Sequence, residues 1–208
     1  MTSPDLAALK ENAQVIVEAV GREAVDVYLF LSDAFARGPV TQNCLFQFVY
    51  RSFYRLDNAA LTPEFKAEYF ECMEDARSGL KVDLAAIVKK LYKLPNLKGQ
   101  ASLQFSFVTK LANTINPNYP IYDAKVAKCF GFKAPANNKP FDTRLQEYLV
   151  FYESLRKFYE EVTTRGSMKE LVGLFERTYS PAACRVPAVK VLDFILWSAG
   201  KVDRFPEP

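Results

Sequence analysis

Histidine is absent from all 208 residues, and this absence narrows the available chemistry more than any residue that is present. A Ser-His-Asp or Cys-His nucleophile cannot be assembled, and the usual histidine-bearing metal sites fall with them. Acid and base work is left to a carboxylate, a lysine or a tyrosine. Cysteine is sparse too: Cys44, Cys72, Cys129 and Cys184 lie far apart, with no C-x-x-C pair. Neither a structural zinc site nor a cysteine-ligated iron-sulfur cluster has its usual spacing, so no metal and no cofactor is expected and the thiols should be reduced and mostly buried. No apolar run reaches the roughly 20 residues that a bilayer span requires, and the first ten residues lack the basic-then-apolar order of a secretory signal. An intracellular, cytoplasmic protein with no membrane partner is expected.

What is present is enough apolar material for a substantial core, since half of the residues are hydrophobic. Ser3-Pro4-Asp5 reads as a helix start, with Leu6, Leu9, Ala13, Ile16, Val17 and Val20 following at helical spacing up to Gly21. A second helix, Glu23 to Ala36, ends at Gly38-Pro39, and Thr41 opens a third that carries the aromatic run 45–56. Thr62-Pro63 starts another, to about Ala76, followed by Val82 to Leu94, Ala101 to Ile115 and a short helix Ala124 to Phe130 capped by Asp123. Long helical patterns at 142–164 and 167–179, a connector 181–187 and a last helix ending near Gly200 complete an all-α chain of about ten helices with no convincing strand. The chain reads as one all-α unit, 1–208, with a division into lobes 39–140 and 1–38 with 141–208.

Net charge is only +3, but it is unevenly spread. Residues 81–140 hold ten lysines against two acids, Asp83 and Asp123, whereas the remainder holds 17 basic and 22 acidic side chains. Such segregation suits a polyanion, and the absence of arginine from the basic stretch favours phosphate contact over bidentate reading of base edges. Solvated lysines on helix faces would give the same count.

Within that stretch Leu94-Pro95-Asn96-Leu97-Lys98-Gly99-Gln100 precedes a buried helical pattern, and Pro120-Ile121-Tyr122-Asp123-Ala124-Lys125-Val126-Ala127-Lys128 follows it. This order resembles the helix-hairpin-helix DNA glycosylases, in which a hairpin of the type L-P-G-V-G leads into a central helix and a catalytic aspartate begins the next one. The branch that removes adenine has P-I-x-D-x-x-V-[KR]-R around the aspartate. Pro120, Ile121, Asp123 and Val126 match it in place, and Lys128 matches the basic residue two beyond the valine. The likeness covers about 35 residues. It departs in the hairpin, where only Gly99 remains of the paired glycines. Gln100 stands near the position of the nucleophilic lysine of bifunctional members, and the cysteine cluster of some relatives is missing.

The resemblance implies a small, cluster-free, two-lobed helical monomer acting on double-stranded DNA. It would extrude a damaged or modified base and hydrolyse its N-glycosidic bond, in repair or in defence against modified phage DNA. Asp123 would stabilise the oxocarbenium-like sugar and orient water. Lys98, Gly99 and Gln100 of the hairpin, with Lys125 and Lys128, would grip phosphates through amides and ammonium groups, and Lys98 or Lys110 could supply an amine for covalent chemistry. Gln47, Tyr122 and Trp197 are candidates for the base pocket. Each has a plainer reading: Asp123 as an ordinary N-cap, Lys110 as a lysine snorkelling from a core helix, Gln47 as a hydrogen-bonded core amide, the aromatic rings as packing. A non-catalytic helical module that binds DNA or another partner is the alternative.

Overall fold

Side-chain caps decide where most of the helices begin. In the computed structural model, which describes residues 3–79 and 81–202, Asp5, Asn43, Thr62, Asp83 and Asp123 each accept a backbone N–H from the first turn that follows. Among the described residues there are eleven α-helices and no strand: α1 (Leu6–Glu11), α2 (Ala13–Glu18), α3 (Arg22–Arg37), α4 (Cys44–Tyr54), α5 (Pro63–Asp75), α6 (Leu84–Tyr92), α7 (Phe105–Ile115), α8 (Ala124–Cys129), α9 (Phe141–Arg165), α10 (Lys169–Thr178) and α11 (Ala188–Ala199). Single 3-10 turns span Leu56–Ala59 and Ala182–Arg185.

The differences from expectation are local. The first helix is two, broken at Asn12, whose side chain donates to the Ala8 carbonyl. Its cap is Asp5 rather than Ser3, because the Asp5 carboxylate reaches the Ala7 and Ala8 amides. Asn43 rather than Thr41 opens α4, and α7 starts at Phe105 because 93–104 is spent on the hairpin. Of the four free thiols only Cys72 is buried; Cys129 is half-buried, and Cys44 and Cys184 are exposed.

Two compact units divide the chain, one of residues 27–116 and one of 1–26 with 117–208, so the boundaries fall inside α3 and just after α7. This differs from a division at 38 and 140: Asp123 belongs with the terminal segments, because α8 packs on α11. In the 27–116 unit, α7 is buried on nearly all sides and packs against α5 and α6. The Tyr69 hydroxyl donates to the Phe107 carbonyl at 2.8 Å and lies 2.8 Å from the Tyr50 hydroxyl, so that buried polar groups are paired. Arg77 closes the other side of this unit. It donates to the carbonyls of Phe35 and Gly38 and to Glu74, and its guanidinium lies 3.7 Å from the Phe35 ring centroid.

In the unit of terminal segments α11 is central, apolar on every side and packed against α2, α8, α9 and α10. Side chains also reach the carbonyls near the end of the short α2. Ser198 donates to the Ile16 carbonyl at 2.7 Å, and the Tyr179 hydroxyl donates to that of Val17. No helix among the described residues is long and apolar enough to cross a membrane.

Candidate functional site

The candidate catalytic aspartate stands at the end of an irregular segment, 119–122, held residue by residue by α9 and α11. Arg156 of α9 lies over the Tyr119 ring. The Tyr152 hydroxyl, also from α9, donates to the Pro120 carbonyl at 2.8 Å. The Ile121 N–H donates to Oδ1 of Asp193 on α11 at 3.0 Å. The Tyr122 ring is buried edge-on against Phe132, Tyr148 and Phe151. Asp123 follows in extended conformation, half-buried, and its Oδ1 accepts the Lys125 N–H at 3.0 Å.

Helix α8 is held as closely as the segment before it. A Cβ on Gly200 would lie 2.2 Å from the Lys125 carbonyl oxygen, so the end of α11 meets the first turn of α8 backbone to backbone. Further along, the Cys129 thiol donates to the Leu196 carbonyl at 3.5 Å, and burial pushes that thiol up to about 11. Lys125 is exposed and Lys128 half-buried on the same short helix.

Behind the segment lies an acid that sequence reasoning passed over. Asp193 is 3 % exposed, and its Oδ1 accepts both the Ile121 N–H and, at 2.8 Å, the Tyr159 hydroxyl. Its Oδ2 has no hydrogen-bond partner. Burial pushes the carboxyl up to about 6, against the pull of Lys190 and of the two hydrogen bonds and with a small push from the Asp123 charge. The signal was in the sequence: one acid inside Val191-Leu192-Asp193-Phe194-Ile195-Leu196, a run apolar on every face, has to find buried partners. Gly200 carried no comparable signal, since a glycine after a helix reads as a stop.

The hairpin of the other unit is present but is not built as a phosphate nest. Its backbone pairs across isolated bridges, Pro95 with Ala101 and Asn96 with Leu61, and Gly99 takes the left-handed φ of 73° that the turn requires. Every amide from 96 to 100 is used inside the protein. Asn96 donates to the Gln100 carbonyl, Leu97 to Ala60 and Gly99 to Asn96, while the Lys98 and Gln100 amides both donate to the Asn96 side chain. The Asn96 carboxamide oxygen takes the Lys98 and Gln100 amides and the Asn96 carbonyl takes that of Gly99, so a phosphate grip from this hairpin would fall to its side chains. The exposed Lys98 and Gln100 side chains remain.

Compared with known protein families, curated proteins and solved structures, the chain matches none. The roles of its residues therefore rest on geometry. Lys110 is 8 % exposed, with its Nζ 5.1 Å from the Phe107 ring centroid and 5.8 Å from that of Tyr54, so it lies among aromatic faces rather than snorkelling out. Gln47 donates its carboxamide N–H to the carbonyls of Val40 and Thr41 and staples the turn before α4, as the hydrogen-bonded amide of its plainer reading would. Trp197 on α11 is half-buried, with the Lys201 ammonium 3.3 Å from its ring centroid. Tyr122 is a core residue in its own aromatic cluster, and burial raises its phenol well above the ordinary value. Asp123, Tyr122, Lys125, Lys128 and Trp197 belong to the unit of terminal segments; the hairpin, Lys110 and Gln47 belong to the other.

Proposed function

We propose that the chain is a monofunctional DNA glycosylase of the helix-hairpin-helix kind, acting as a monomer on duplex DNA that carries a damaged or modified base, in repair or in defence against modified phage DNA. The observation that carries this reading is the immobilised Asp123. A carboxylate that is to stabilise charge on a sugar must be fixed before the reaction begins, and here the four residues before Asp123 and the helix after it are each held by packing or hydrogen bonds. The order of hairpin, buried helix and aspartate supports it, as does the lysine-rich surround.

In this mechanism the extruded nucleotide loses its base as the bond from C1′ to the base nitrogen breaks, the bonding pair leaving with the base. Asp123 lies against the cationic sugar and accepts the proton of a water whose oxygen bonds to C1′. The products are an abasic site and the free base, which takes a proton from solvent. Neither step calls on histidine.

The reading is tested with Asp123→Asn on duplexes containing 8-oxoguanine, adenine opposite 8-oxoguanine, or 5-hydroxymethylcytosine. The variant keeps shape and an oxygen able to cap α8, so it should bind DNA and melt as the wild type does yet release no base. The bond from the Lys125 N–H to Asp123 is also what an ordinary helix cap makes, and it favours a second reading, a non-catalytic DNA-binding module. Wild-type protein that binds these duplexes and releases nothing would establish that second reading.

A further inference from the structure

We propose that Asp193 is the positioning residue of this site: it holds the segment leading into Asp123 by accepting the Ile121 amide. The inference rests on the glycosylase reading for its effect on rate, but the geometry beneath it stands alone. Ile121 is buried and its N–H lies in irregular backbone just before α8, so no helical carbonyl serves it. Asp193 reaches it from α11 at 3.0 Å, and the same oxygen is fixed from the opposite side by the Tyr159 hydroxyl at 2.8 Å. With Tyr152 on the Pro120 carbonyl, the peptide joining residues 120 and 121 is pinned at both its polar atoms.

Packing alone would not favour an acid here. Oδ2 is buried without a partner, and the groups whose charge or dipole acts on the carboxyl are Lys190 on its own helix, the Ile121 amide, Tyr152 and Tyr159 on α9, and the Asp123 cap of α8. A side chain whose charged form is disfavoured by burial, yet whose one bonded oxygen meets both donors, serves the backbone it holds. A pinned peptide two residues before a catalytic carboxylate sets where that carboxylate stands, and a displacement of about 1 Å is enough to lose rate.

Two substitutions separate positioning from bulk. Asp193→Val adds about one methylene of volume and removes the acceptor; Asp193→Asn keeps an oxygen for both donors and removes the charge. If the valine variant fails to fold with the Tyr159 hydroxyl orphaned, the double variant Asp193→Val with Tyr159→Phe relieves that hydroxyl and serves instead. Exchange of the Ile121 amide should quicken about tenfold in the valine form, as a lost buried hydrogen bond implies, and stay near wild type in the asparagine form. Single-turnover base release should fall at least about tenfold in the valine form, with DNA affinity unchanged, and recover in the asparagine form. Wild-type exchange at Ile121 in the folded valine form would overturn the proposal, as would an asparagine form as slow as the valine one. If wild-type protein releases no base, the glycosylase reading falls on its own, and the exchange measurement still decides whether Asp193 holds the segment.

Discussion

Between about pH 4.5 and 7.5 the wild-type protein should lose about 2 kcal/mol of stability relative to Asp193→Asn. Burial raises the Asp193 carboxyl from 3.8 to about 6. Through that window the folded chain therefore binds more protons than the unfolded chain, and stability falls as pH rises. The contribution is fully present below the unfolded value and is lost as pH passes the folded value. At about 1.4 kcal/mol per unit the whole span is about 3 kcal/mol, of which the part above pH 4.5 is about 2. Asp57 and Glu74, whose carboxyls are held low chiefly by Lys66 and Arg77, work in the opposite sense, but they are common to both proteins and cancel in the difference. The asparagine leaves a buried N–H without a partner, a pH-independent offset of about 1–3 kcal/mol, so the slope and not the offset carries the result. Urea melts of both proteins across the range would measure it; by thermal melts the gap in Tm should change by about 4–8 °C. Parallel curves would refute the argument, since they would mean that this carboxyl is hydrated in the folded protein.

Gly200→Ala should destabilise the protein by about 1–3 kcal/mol and lower base release further than stability explains, because the new methyl group meets the Lys125 backbone and displaces α8; an unchanged Tm would show that the two helices do not meet there. Replacing Lys98, Lys125 and Lys128 together should weaken DNA binding about equally across sequences and flatten the slope of log K against log salt by about 0.9 for each lost phosphate contact, and an unchanged slope would leave these lysines as solvated surface. Borohydride added during turnover should trap no protein-DNA adduct, with strand breaks appearing only after alkali, because glutamine at position 100 offers no amine; a trapped adduct lost in Lys98→Ala or Lys110→Ala would identify the nucleophile.

Much of the fold was legible because helix starts are local events. Thr62 before Pro63 and Asp123 before Ala124 each bond an amide two or three residues ahead, and that reach lies within a short window of sequence. The break at Asn12 was missed because apolar spacing continues through it, and the start of α7 because a hairpin turn and a first helical turn draw on the same residues. Lys110, a candidate amine whose plainer reading is a lysine snorkelling from its helix, is enclosed by rings from α4 and α7 that only the packing of the 27–116 unit brings together.

By itself the sequence determined the all-α class, the caps at Thr62 and Asp123, and the exclusion of histidine chemistry, all of which follow from composition or from contacts within one helical turn. Only the tertiary structure decided what holds Asp123. Ile121 and Asp193 are 72 residues apart, Pro120 and Tyr152 are 32, and the Asn96 side chain absorbs amides that a glycine-poor hairpin would otherwise expose. A buried donor must find an acceptor, but the chain does not say which distant one until α9 and α11 have packed against the segment and left Asp193 as the acceptor that the Ile121 amide meets.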